Sequence, residues 1–150
     1  MRKSIFIIGF WCFYCALSSA QVFDPNAVVG IWKVVGGEVN FPPTPDKSLE
    51  KQIAGLKEQF LHSDFVFQGD NNFSFNIKLD DFKVQKAHWK YNPNSYRYEI
   101  QLWEDKDKNN SFLMVLEVKK VGDKTYFLLP TDEELPKEFS IKLEVVKMLE

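Results

Sequence analysis

Apolar side chains fall on alternate positions through most of this chain, with one interruption where they recur every three or four. Residues 28–35 open the alternating part. Val28, Gly30, Trp32 and Val34 share one strand face, and Val29, Ile31, Lys33 and Val35 share the other. The second face is nearly as apolar as the first, so this strand is expected to be covered on both sides and to end at Gly36-Gly37. Phe41-Pro42-Pro43-Thr44-Pro45 is a stiff connector, because each proline fixes φ and biases its predecessor toward extended backbone. Thr44 before Pro45 predicts a helix start, with a hydroxyl N-cap and then a residue without an amide hydrogen. Leu49, Ile53, Leu56 and Phe60 then recur at spacings of four, three and four, one apolar stripe of a helix over residues 45–62. Lys47, Glu50, Lys51, Lys57 and Glu58 supply its polar face.

From Asp64 the period returns to two. Phe65 and Phe67 lead into a turn at Gly69-Asp70-Asn71-Asn72, and Phe73, Phe75, Ile77 and Leu79 lead out of it. Ala87, Trp89 and Tyr91 alternate up to Asn92-Pro93-Asn94-Ser95. Tyr96, Tyr98, Ile100 and Leu102 alternate away from it, backed by Arg97, Glu99 and Gln101. A charged loop over 104–110 precedes a long strand over 112–121, a tight turn at Gly122-Asp123 and a partner strand over 125–129. Phe139, Ile141, Leu143 and Val145 mark a closing strand. Eight strands joined mostly by short turns, with one helix between the first two and no parallel crossover pattern, predict a mainly β chain. The expected architecture is an eight-stranded antiparallel up-and-down barrel, which removes exposed strand edges.

Gly30-Ile31-Trp32 at the start of the first strand, preceded by Phe23-Asp24-Pro25, resembles the lipocalin signature. The chain is similar to the small exported lipocalin-like proteins of Bacteroidetes-type bacteria over roughly residues 23–149, the 65–75 hairpin and the Trp89 strand included. The resemblance implies that Trp32 packs at the closed end of the barrel under a basic residue of the last strand. Arg97 is the only arginine after Arg2, so Lys142 or Lys147 is expected in that place. The position of the helix is closer to fatty-acid-binding proteins, in which helices between the first strands lid the barrel.

Composition places this barrel outside the cytoplasm. Arg2 and Lys3 precede an apolar run of 13 residues, 5–17, and then Ser18-Ser19-Ala20, which reads as a secretory signal cleaved before Gln21. The run is too short for an ordinary membrane span, which takes ~20 residues. The domain expected to remain, 21–150, is exported and has no transmembrane segment. Cys12 and Cys15 leave with the signal, so no disulfide, thiolate nucleophile or cysteine ligand is expected. Of 19 basic residues two are lost, leaving 17 against 21 acidic ones and a net charge of −4. That balance argues against nucleic acid as a partner.

Candidate chemistry adds little. His62 and His88 stand apart from any ligand cluster. Asp105-Lys106-Asp107-Lys108-Asn109 imitates half of a calcium loop, but Asn110 stands where glycine is needed and Leu116 where a bidentate glutamate is needed. No catalytic or phosphate-binding motif occurs, so no enzyme, cofactor or metal is expected. The informative feature is the aromatic stripe. Phe67, Phe75, Trp89, Tyr91, Tyr96 and Tyr98 either fill the barrel or leave room and hydroxyls for an amphipathic ligand. Leu49, Ile53, Leu56 and Phe60 correspondingly form either a plug or a movable lid. Two functions are compatible with this pattern: a carrier of a small hydrophobic or amphipathic molecule, and a filled barrel whose surface binds protein or polysaccharide. No particular ligand or protein partner can be read from the residues.

Overall fold

The computed structural model describes residues 24–77, 86–109, 111–130 and 138–149. The expected signal segment, Phe23 and Leu79 lie outside these residues. The described chain forms strands β1 (Gly30–Asn40), β2 (Asp64–Phe67), β3 (Asn72–Phe75), β4 (Ala87–Asn92), β5 (Arg97–Leu102), β6 (Met114–Val121), β7 (Lys124–Leu129) and β8 (Ser140–Lys147). A single α-helix, α1 (Lys47–Leu61), separates β1 from β2. Each strand pairs antiparallel with the next, and β8 returns to β1, closing an eight-stranded up-and-down barrel. The period-two pattern produces this shape because each strand offers one apolar face to a shared interior. Phe65, Phe67, Ile100, Leu116, Phe127 and Leu143 are completely buried there.

β1 differs from the sequence expectation at both ends. Val28 is not part of it: Pro25–Val28 forms a 3-10 turn whose start is capped by Asp24, Oδ1 accepting from the Asn26 amide at 2.9 Å. Nor does the strand end at Gly36-Gly37. It runs on to Asn40, and its pairing with β8 slips by one residue between Val34 and Gly36. An extra residue in one strand exchanges its two faces. Trp32 and Val34 therefore point inward before the bulge, and Gly37, paired with Leu143, and the buried Val39, paired with Ile141, face inward after it. Gly37 has φ +145°, and a Cβ there would run into the Lys142 carbonyl and the Leu143 Cα. The outer face of β1 is not covered as expected, with Ile31 and Val35 41% and 54% exposed.

The helix starts two residues late because Asp46, rather than Thr44, caps it. Its Oδ1 accepts from Ser48 and Leu49 amides at 2.8 and 3.3 Å, while Thr44 Oγ1 accepts from the Asp46 amide at 3.3 Å. At the other end Ser63 ties helix to barrel. Its hydroxyl donates to the Phe60 carbonyl at 2.7 Å, and its own carbonyl accepts from the Val34 amide at 3.0 Å. Other strand limits move as well: β3 stops at Phe75, leaving Ile77 outside it, β5 begins at Arg97, β6 at Met114, β7 at Lys124 and β8 at Ser140.

Gly37→Ala should lower unfolding stability by about 2 kcal/mol or more, through left-handed strain and a backbone collision. Gly36→Ala, where a Cβ meets nothing within 4 Å, is the matched control. Equal shifts of the two variants in urea melts would show that the pairing after the bulge does not constrain Gly37.

Candidate ligand-binding site

The two ends of the barrel are built differently. At the end where β1 begins, the 3-10 turn folds across the opening and Trp32 seals it. Trp32 Nε1 donates to the Val28 carbonyl at 2.6 Å, and Tyr98 Oη donates to the Pro25 carbonyl at 2.9 Å. Lys147, one of the two lysines expected over Trp32, holds Nζ 5.6 Å from the Trp32 ring centroid and donates to the Ala27 carbonyl at 3.2 Å. Lys142 lies instead over Tyr126. Gly30 makes this possible. Its φ is +137°, and a Cβ there would come within 2.5 Å of the Lys147 Cε. Gly30, Trp32 and Lys147 thus act as one unit, the glycine leaving the channel in which the lysine stem lies.

Above this seal the interior is filled ring on ring. Phe127 packs at 5.4 to 6.0 Å against Trp32, Phe65 and Phe67, and Phe67 in turn meets Phe73, Trp89 and Tyr98. Tyr91 packs on Tyr98 at 5.1 Å. Offset and edge-to-face pairs of this kind contribute ~0.5–1.5 kcal/mol each beyond area burial. Trp89 Nε1 donates to the Gln68 carbonyl at 2.9 Å, so its polar edge is spent on the β2–β3 turn and not aimed at the lumen. Burial pushes the Tyr98 phenol up to about 12, with Tyr91 and the Asp24 carboxylate adding to the effect.

At the opposite end, where α1 packs, the filling stops. Phe60, at the end of α1 and 7% exposed, faces Phe75 and Ile77 beyond β3, Leu113, Met114 and Val115 at the start of β6, and Leu129, Pro130 and Phe139 around the β7–β8 connection. These side chains line a pocket of ≈ 210 Å³ that is open to solvent on one side. Phe41 and Phe139 pack edge-to-face at 5.1 Å beside it. A second groove of ≈ 330 Å³ lies between the Pro42-Pro43 connector and Ile53 and Ala54 of α1, rimmed by Glu50 and Lys57. Both open in part to the surface, and the smaller one is lined by residues at the barrel mouth.

The aromatic residues expected to line a ligand cavity are therefore divided. Phe67, Trp89, Tyr91 and Tyr98 occupy the packed half, and only Phe75 reaches the pocket. Tyr96 is not on β5: it sits in the β4–β5 turn with φ +57° and is 74% exposed at the sealed end. Of the helix stripe, Phe60 enters the barrel mouth, Leu56 and Ile53 are half-buried, and Leu49 is 44% exposed. Leu113, Met114, Leu129 and Phe139 were legible only as strand residues, because which strand ends share one rim is a property of barrel order.

The polar face expected on β5 is also revised. Glu99 and Gln101 are buried, each under different neighbours. Gln101 Nε2 donates to the Lys108 carbonyl at 2.9 Å, and Glu99 is held by Lys90 at 3.3 Å and Asn92 at 2.6 Å. Asp105 is engaged by Lys108 at 2.6 Å and by Ser111 at 3.2 Å, which holds its carboxyl below the usual range. His88 lies against Trp103, its pKa lowered by burial and by Lys90 and Lys106. Among the described residues no three His, Cys, Asp or Glu side chains gather as a metal site. In the same residues no helix is long and apolar enough to cross a membrane. No protein-family model matches the chain, and comparison with curated proteins and with solved structures finds no match to it.

Gly30→Ala should destabilise the wild type, and part of that loss should disappear in a Lys147→Ala background, where the lysine stem no longer competes for the space. A double-mutant cycle in urea giving strictly additive effects would separate Gly30 from Lys147. The Tyr98 phenol makes a second expectation. Its folded pKa, about 12, lies above the ordinary 10.0, so its contribution is complete below pH 10 and is lost as pH rises through about 12. Tyr98→Phe should lose about 1 kcal/mol at neutral pH with the Pro25 hydrogen bond, and its stability should fall less steeply than wild type above pH 10. Parallel curves in that window would show that Tyr98 is not the titrating group.

Proposed function

We propose that this barrel binds a small hydrophobic or amphipathic molecule at its helix-covered end, as an exported lipocalin-like protein. The observation that carries the reading is the apolar pocket of ≈ 210 Å³ between Phe60 and the barrel mouth. It is smaller than the ~300–1,000 Å³ of drug-sized ligand sites. At ~30 Å³ per water-sized group it takes about seven such groups, a ring or a short acyl segment. The Gly30-x-Trp32 element with Lys147 above it supports the lipocalin-like assignment, and the apolar run before Ser18-Ser19-Ala20 supports export.

Entry is controlled by the C-terminal turn of α1. The Ser63 hydrogen bonds hold that turn to the barrel, while the half-buried Ile53 and Leu56 anchor the remainder of the helix only lightly. The closed half, filled with rings, favours the second reading, in which the barrel is an interaction module that binds protein or polysaccharide on its surface.

A naphthalene-sized fluorescent probe distinguishes the two. Wild-type protein should take it up, Leu129→Trp should block uptake by filling the pocket, and Phe60→Ala should speed both entry and exit several-fold in stopped-flow traces while melting stays cooperative. Phe60→Ala will also cost up to ~3–5 kcal/mol of stability, so exchange is compared under conditions where each variant is folded. A wild-type protein that never takes up the probe, with Phe60→Ala changing stability alone, would establish the filled-barrel reading instead.

A further inference from the structure

Resting on the binding reading above, we infer that the pocket selects uncharged ligands and rejects carboxylates, which separates it from a fatty-acid site. Every described side chain that lines it is a hydrocarbon or a thioether: Phe60, Phe75, Met114, Leu129 and Phe139 form the walls, and no charged or hydrogen-bonding side chain is among them. An ionised carboxylate drawn into such a lining would lose its water and gain no side-chain partner among the described residues, an unfavourable way to bury a charge.

Among the described residues the cations are placed elsewhere, Lys57 of α1 at the neighbouring groove. Lys147 is committed at the sealed end to Trp32 and the Ala27 carbonyl. Arg97 begins β5, next to the β4–β5 turn at that same end. Lys142 lies over Tyr126 and Lys90 is paired with Glu99. The described charge nearest in sequence to the pocket wall is the exposed Glu138, beside Phe139, and its sign is the wrong one for an anion. Tyr91 and Tyr98, the hydroxyls that could orient a polar head, belong to the packed half, with Tyr98 already bonded to Pro25. What the site recognises is therefore shape and apolar surface: a small neutral ring or alkyl compound of about the pocket's size.

The test compares 1-hexanol with hexanoate, probes of one chain length that differ in charge. Methyl-resolved NMR titration of the full purified chain reads both affinity and place, because Ile77, Leu113, Met114 and Leu129 report on the pocket. At pH 7 hexanol should shift these methyls, and hexanoate should bind at least tenfold more weakly. Near pH 4, where a carboxylic acid of ordinary pKa is substantially neutral, hexanoate should approach hexanol, with hexanol at the same pH controlling for the fold. Equal affinity of the two at pH 7 would overturn the inference while leaving the binding site intact. Hexanoate that stayed weak near pH 4 while hexanol still bound would overturn it too, since charge would not then be what is rejected. If neither compound moved these methyls at any pH, the binding reading itself would fall.

Discussion

One strand has to serve two neighbours for this barrel to exist. β1 pairs at its start with β2, through Gly30 to Lys33, and along most of its length with β8, through Trp32 to Asn40. A flat strand could not turn from one partner to the other and still keep its apolar side chains inside. The slip between Val34 and Gly36 solves both problems, bending the strand and exchanging its faces. Gly37 is the residue that permits it, because the β8 backbone lies where its side chain would be.

From that closure the asymmetry of the interior follows. Near the start of β1 the strands converge on Trp32, and the inward positions of β2, β3, β4 and β7 are occupied by large rings. Eight strands enclose a lumen that such side chains can fill, and here Phe65, Phe67, Phe127, Trp89 and Tyr98 fill it. Toward the other end the strands supply fewer inward residues, since β3 stops at Phe75 and β6 begins only at Met114. The space left is closed by a residue from outside the sheet, Phe60. A pocket therefore exists where the sheet supplies too few side chains, and its character is set by the hydrocarbon chains at that rim.

The polar chemistry is segregated onto the opposite surfaces. Lys147 caps the seal, the Lys108 carbonyl accepts from Gln101 on the outer face of β5, and Lys86 and Lys106 lie 4.4 and 4.9 Å from the Trp103 ring. These contacts satisfy the Ala27 and Lys108 carbonyls, and Lys90 and Asn92 hold the buried Glu99. The described side chains around the pocket offer van der Waals contact and no charge.

Alternation of apolar and polar residues along the chain determined the class of fold, the count and order of the strands and the place of the helix, because each depends on a period that local sequence carries. The Trp32 signature also pointed to a sealing unit with a lysine of the last strand. What the residues could not disclose was set by pairing. The bulge that carries β1 past Gly36-Gly37 arises from its register with β8. The burial of Gln101 arises with a loop that folds back to place the Lys108 carbonyl on it, and that of Glu99 with Lys90 and Asn92 across the sheet. The separation of Tyr91, Tyr96 and Tyr98 from the pocket arises from which end of each strand faces which rim. Alternation says that a side chain points inward, but not how high in the barrel it stands, and that height decides whether a ring is core or lining.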